Sequence, residues 1–218
     1  MSLRGWLPGM LFMLAMACGA DTDVELARAE RYAAAGDFAP AWCIWTPLAE
    51  EGNATAQFNL GWLYRNGNGV AVNIERARQL WEQAARSGHA EAQMALALLY
   101  GQQGSPLEDK AQAIHWYRKA AEQGIEDAIL VLLDYMDRGD AAAGAAVDTL
   151  LREGRVGKPV AVTVDKANVR AQPTTSARVL GTLPQGTQVR QLAVSGDWRR
   201  VWVPEIAATG WMFHSLFE

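Results

Sequence analysis

The sequence is poor in cysteine, has no surplus of positive charge and lacks an apolar run long enough to cross a bilayer. Each shortage closes off a class of function. There are two cysteines, Cys18 and Cys43, and Cys18 falls in an N-terminal stretch with the character of a leader. Once that stretch is removed no intramolecular disulfide is possible, so the fold must stand on its core. Lysine and arginine number 20 against 24 aspartates and glutamates, a net charge of −4. Nucleic acid is therefore not expected as a partner, because its phosphates call for a basic surface. The three histidines, His89, His115 and His214, are not at metal-ligand spacing and have no cysteine pairs beside them, so no metal site is assigned. No cofactor motif is present either. Gly67-Asn68-Gly69 follows a helical pattern and has no Lys or Ser/Thr after it, which makes it a turn rather than a phosphate-binding loop.

Residues 1–20 read as a secretory signal: Arg4, then an apolar stretch from Trp6 to Ala17, then Cys18-Gly19-Ala20. About a dozen apolar residues is short of the roughly twenty that span a membrane. Two processing routes are open. Cleavage after Ala20 gives a chain starting at Asp21, whereas Leu14-Ala15-Met16-Ala17-Cys18 resembles a lipobox and would leave a lipid on Cys18. Only the second puts the protein on a membrane. By either route it is exported, to the periplasm or the cell envelope.

The chain then repeats itself every 36 residues. Gly52, Gly88 and Gly124 are in step, as are Ala56, Ala92 and Ala128; Leu60, Leu96 and Leu132; and Trp45, Trp81 and Tyr117. Each unit has two apolar stripes of helical spacing separated by a turn, a hairpin that can bury its apolar face only by stacking on its neighbours. Weaker hairpins flank the array, giving about eight helices between Val24 and Arg152.

The residues 56–64 (Ala-Gln-Phe-Asn-Leu-Gly-Trp-Leu-Tyr), the Gly-x-Gly-Val loop and the run 116–124 (Trp-Tyr-Arg-Lys-Ala-Ala-Glu-Gln-Gly) resemble the Sel1-like repeats. These are relatives of the tetratricopeptide repeats, and the resemblance implies an adaptor that holds proteins together. The middle repeat departs from the pattern at Ala97, where glycine is usual, and in its loop Gly101-Gln102-Gln103-Gly104.

Residues 153–159 have the composition of a linker, and beyond them short alternating runs separated by turns predict a small barrel or sandwich. The runs are 160–164, 178–183, 187–194 and 198–203. Asn168-Val169-Arg170 with Pro173, the run 179–183 with Gly186, the run 196–201 and Gly210-Trp211 resemble a bacterial Src-homology-3 (SH3) domain. That resemblance implies a binding module for wall material or envelope proteins. Gln191 stands where an apolar residue is usual, and the proline-binding groove of the eukaryotic relatives is not matched.

The fold class expected is thus multidomain: a signal peptide (1–20), an all-α helical-hairpin solenoid (21–152), a linker (153–159) and a small all-β SH3-like barrel (160–218). No catalytic residue is assigned. Cys43, read as a partly buried spectator, shares a register position with His115, but two repeats of packed helices separate them by roughly 20 Å, too far for a nucleophile and its base. The repeat positions that resemble the ligand-facing stripe of tetratricopeptide helices are Phe58, Trp62, Arg65, Met94 and Leu98, with Thr55 and Glu91 at its start. Two readings of its apolar members stand: a binding patch, or packing against flanking hairpins. In the barrel, Trp198 and Trp211 are read as core. Trp202 and Arg200 share the opposite strand face from Val201 and Val203, as a binding anchor or as a surface covered by the neighbouring domain. The partner expected is a protein or peptide, with peptidoglycan a further candidate. A regulator of a cell-wall hydrolase, or an unrecognised hydrolase, is the alternative function.

Overall fold

The computed structural model describes residues 9–206 and 208–217, with side chains from Thr22 onward. The first eight positions of the expected leader and all of its side chains, Cys18 included, lie outside the described residues. Eight helices are present among them: α1 (Gly9–Ala34), α2 (Phe38–Glu50), α3 (Ala54–Asn66), α4 (Ile74–Arg86), α5 (Ala90–Gly101), α6 (Lys110–Glu122), α7 (Glu126–Asp137) and α8 (Ala141–Arg152). Six strands follow: β1 (Lys158–Ala161), β2 (Lys166–Arg170), β3 (Val179–Pro184), β4 (Gln188–Ser195), β5 (Trp198–Val203) and β6 (Ala208–Phe213). No helix among the described residues is long and apolar enough to cross a membrane. The chain divides into two compact units, Met1–Trp116 and Tyr117–Glu218, with the division inside α6.

In the first unit the 36-residue register becomes a register of contacts. Gly52 and Gly88, which end α2 and α4, adopt φ of 91° and 90°, a left-handed geometry that costs glycine least and reverses the chain. Asn53 and Asn73 then cap α3 and α4, each side-chain oxygen accepting a backbone N–H at 2.9 Å. Alanines at the helix contacts (Ala41, Ala56, Ala77, Ala84 and Ala92) are fully buried, and Trp45 and Trp81 fill the space around them. Gly61 explains how Trp81 gets so close, since a Cβ there would sit 2.3 Å from the indole nitrogen. A further repeated device ties each hairpin to the one before. Gln57 Nε2 donates to the Ala49 carbonyl, and 36 residues on Gln93 Nε2 donates to the Ala85 carbonyl, both at 3.1 Å. Both glutamines are buried, so these bonds carry the full cost of being broken.

The second unit packs α7 and α8 through Ala128, Leu132, Val147 and Leu150, with Asp140 capping α8. Buried Tyr117, in edge contact with Tyr135, has its phenol pushed up to about 12 by burial and secondarily by that neighbour. The strands form one antiparallel sheet in the order β1-β4-β5-β6-β2-β3. Its core is Val162, Ala167, Val169, Leu183, Val189, Val201, Val203 and Met212. Sequence alternation marks four runs. The structure adds β2 and β6, which alternate through only two buried residues each, Ala167 and Val169 in β2 and Gly210 and Met212 in β6. Gln191 lies at a register shift in β4, between Gln191 and Ala193, so its polar side chain is partly exposed instead of filling the core. Residues 153–159, linker-like in composition, are held in place. Arg190 donates to the carbonyls of Val156 (2.8 Å), Gly154 (3.0 Å) and Gly157 (3.0 Å).

Candidate functional site

The aromatic surface of the first unit is built on α3 and α5. Trp62 is 38% exposed and Leu98 is 51% exposed, and the two positions are one repeat apart. Phe58 and Met94, also one repeat apart, are half-buried beneath them, as is Thr55; Glu91 and Arg65 are exposed. Phe58 stacks on His89 at 4.8 Å and meets the edge of Trp62 at 6.2 Å. Trp62 in turn rests edge-on against the buried Trp81 at 5.4 Å, and Arg65 lies over its ring at 5.6 Å. Trp81 is itself fixed by donating to the Phe58 carbonyl at 3.1 Å. The exposed indole therefore stands on a rigid base, which lowers the entropy lost when a partner covers it. His89 has two tasks here, since its Nδ1 also accepts the Ala92 N–H at 3.3 Å and caps α5. Burial lowers its pKa, and Glu91 partly offsets this, so at neutral pH the ring keeps the lone pair that the cap needs. Arg65 also borders a cleft of about 660 Å³ with Ile74, Leu99 and the loop 102–107.

In the second unit the face of β5 and β6 opposite the core carries Trp198, Arg200, Trp202, Trp211 and Phe213. The register sets Trp198 against Phe213 and Arg200 against Trp211. Arg200 is only 8% exposed and makes a two-pronged ion pair with Asp137 of α7, Nη1 to Oδ2 at 2.7 Å and Nη2 to Oδ1 at 2.6 Å. Its guanidinium also lies over the Trp211 ring at 6.0 Å. A planar fork matched to a carboxylate is a strong and directional contact. Trp198 packs edge-on against Phe213 at 5.5 Å, and Trp202 is half-buried on the same face.

A model of the Sel1 repeat matches residues 54–89 and 90–125, and one of the bacterial SH3 domain matches residues 165–218. The chain carries Sel1 repeats followed by a bacterial SH3 domain. Among solved structures it is similar to a protective antigen present in uropathogenic Escherichia coli strains and displaying an SLR fold, at 26% identity and a TM-score of 0.49. That match covers 64% of this chain and 35% of the antigen. It is also similar to a Sel1 repeat protein from Oxalobacter formigenes, at 27% identity and a TM-score of 0.46, covering 60% of this chain and 62% of that one. The chain thus spans less than two thirds of either protein. No curated protein matches it. Sel1 repeats and bacterial SH3 domains are modules of the protein-binding, scaffold kind.

Several sequence expectations for the two modules need correction. In the SH3 domain Trp198 and Trp211 are not core. They alternate outward because Val201, Gly210 and Met212 point inward, and Gly210 is small because a Cβ there would meet Val169 at 2.3 Å. Arg200 does not offer a free cation beside Trp202, since its charge is taken up by Asp137. Cys43 is exposed on α2 rather than partly buried. In the repeats, Phe58 and Met94 split from Trp62 and Leu98, the first pair half-buried and the second pair exposed. No cluster of three or more His, Cys, Asp or Glu side chains able to hold a metal occurs among the described residues. The sequence reading passed over His89, Trp81 and Asp137 as parts of these surfaces. Trp81 was legible as a buried register position, but its support of Trp62 depends on how α3 crosses α4.

Proposed function

We propose that this protein is an exported, non-enzymatic scaffold of the cell envelope that grips a protein or peptide through the α3–α5 face of its Sel1 repeats. The observation that carries this reading is that Trp62 and Leu98, at one register position in successive repeats, are both large, apolar and exposed. Hairpin packing is already served by the buried alanines, Leu60 and Leu96, so solvent-facing apolar side chains at a repeated position fit a partner's surface. Arg65 over the Trp62 ring adds a cation to the patch and favours a partner with a carboxylate beside an apolar side chain. The SH3 domain supplies a second contact, to an envelope protein or to peptidoglycan, and two tethered weak sites bind more tightly together than either does alone. The character of residues 1–20 supports the export part of this reading, and cell fractionation with N-terminal mass spectrometry tests it.

The binding reading is tested with a photo-crosslinking residue at position 98 in cells, and with the Trp62→Ala, Leu98→Ala double variant. A discrete crosslinked partner that disappears with Trp62→Ala, while the melting curve stays close to wild type, is the expected result. Capture that is unchanged in the double variant would overturn the assignment of this face.

A further inference from the structure

The second unit has an open strand edge beside an apolar groove. The pairing of β1 with β4 ends at Lys158 against Gln191, yet β4 continues to Ser195. Over Leu192–Ser195 it pairs with β5 alone, Ala193 against Arg200 and Ser195 against Trp198. Those four residues extend about 13 Å past the end of that pairing at ~3.3 Å per residue. The chain entering β1 reaches only the near end of this stretch, where Gly157 lies against Leu192 and the Gln191 carbonyl, and its pairing with β4 does not extend to Ala193, Val194 or Ser195. The N–H groups of Gly154 and Arg155 turn back to the Leu151 and Leu150 carbonyls, and Arg190 takes the carbonyls of Gly154, Val156 and Gly157.

Edge strands are ordinarily protected by charge or proline. The paired end of β1 has both, in Lys158 and Pro159, whereas Leu192-Ala193-Val194-Ser195 has neither. Facing this edge across a cavity of about 420 Å³ are Ile125, at the N-cap of α7, and Ile129 and Leu130 within the helix. Val194 is 59% exposed and Leu130 is 43% exposed. The charged groups of the lining are Glu126, Arg155 and Lys158, and the two cations make no ion pair among the described residues.

We propose that the Leu192–Ser195 edge takes an extended peptide segment of a partner protein, added to the sheet as a further strand. An unpaired edge is satisfied by a backbone at strand spacing. The walls made by Leu130 and Val194 select apolar side chains at alternate positions of that segment, and Arg155 with Lys158 selects an acidic residue. This site lies in a different unit from the Trp62 and Leu98 face and goes beyond the function proposed for it, so either can fail alone.

The test titrates the full isotope-labelled chain with a synthetic heptapeptide of alternating valine and threonine that carries one glutamate. Controls are the same peptide N-methylated at alternate amides and a version with lysine in place of glutamate. Saturable amide shifts at Leu192–Ser195 and Leu130 are expected, with affinity at least tenfold lower for the methylated peptide and several-fold lower for the lysine peptide. Val194→Lys and, separately, Leu130→Lys should abolish the shifts while leaving the melting temperature near wild type, since both side chains are exposed. Equal affinity for parent and methylated peptides, or no saturable shift with either, would overturn strand addition. So would shifts of the same amides produced only by a muropeptide, which would assign the groove to wall material. Concentration-dependent dimerisation that shifts these amides without peptide would instead make a second copy the occupant.

Discussion

One helical stripe has different neighbours in the two units. On α3 and α5 it presents Trp62 and Leu98 to solvent. On α7, one register step further, the same stripe reads Leu130, Asp134 and Asp137, and there Asp137 holds Arg200 of the SH3 domain. Arg65 and Asp137 occupy the same register position two repeats apart and carry opposite charges. A position in a repeat fixes which way a side chain points, but what lies opposite decides whether it becomes a surface or a seam.

The sharpest way to strain this comparison is to remove the support beneath the exposed face. Trp81→Ala takes away a 1% exposed indole and should cost ~3–5 kcal/mol, read as a lower urea midpoint. A loss under about 1 kcal/mol would mean that Trp62 has no rigid base. Asp137→Ala tests the seam. It leaves Arg200 buried without its partner, and because the Asp137 side chain is 54% exposed the cost should fall below the ~3–5 kcal/mol of a fully buried pair, at about 2 kcal/mol. A double-mutant cycle with Arg200→Met should return a coupling of about 1 kcal/mol or more; additivity of the two changes would make the seam incidental. Trp62→Ala with Leu98→Ala should lower stability by only about 1 kcal/mol, because surface truncations are cheap and Trp62 gives up little beyond its contacts with Phe58 and Trp81. Partner capture should fall far more than stability does.

The smallest effect is one of pH. His89 has its pKa lowered mainly by burial, so the folded chain binds fewer protons there than the unfolded one, whose histidine titrates near ~6.5. Its contribution is complete above that value and is lost as pH falls through the lower folded pKa. Urea midpoints should therefore decline from pH 7.5 to pH 5 more steeply in wild type than in His89→Asn, which keeps a capping oxygen but does not titrate. Parallel slopes would remove His89 from the account.

The helical half was legible because its information is periodic. The spacing of Gly52, Gly88 and Gly124 gives the turns, the alanine and tryptophan positions give the buried stripe, and a helix keeps residues three and four apart on one face. The barrel was legible mainly as punctuation. Its strands are short, and the inward residues of β2 and β6 include Ala167 and Gly210, too small to mark an apolar face. The candidate face was half legible: periodicity sets Phe58, Trp62, Met94 and Leu98 on one stripe, but it could not separate exposed Trp62 and Leu98 from half-buried Phe58 and Met94. For Phe58 the difference arises because His89, from the neighbouring turn, stacks on its ring and the cluster around Trp81 packs against it.

What the sequence determined by itself was therefore local and repetitive: the helix hairpins, their register, the glycines between them, and short alternating runs for a barrel. Tertiary structure alone decided the fate of charges and edges. Asp137 and Arg200 are 63 residues apart, and nothing in either one's surroundings along the chain announces the other. The open edge of β4 exists only because β1 stops at Lys158 while Arg190 and the α8 carbonyls engage the backbone just before it. Hydrogen bonding and ion pairing saturate with whichever partner is nearest in space, and only the folded chain fixes which partner that is.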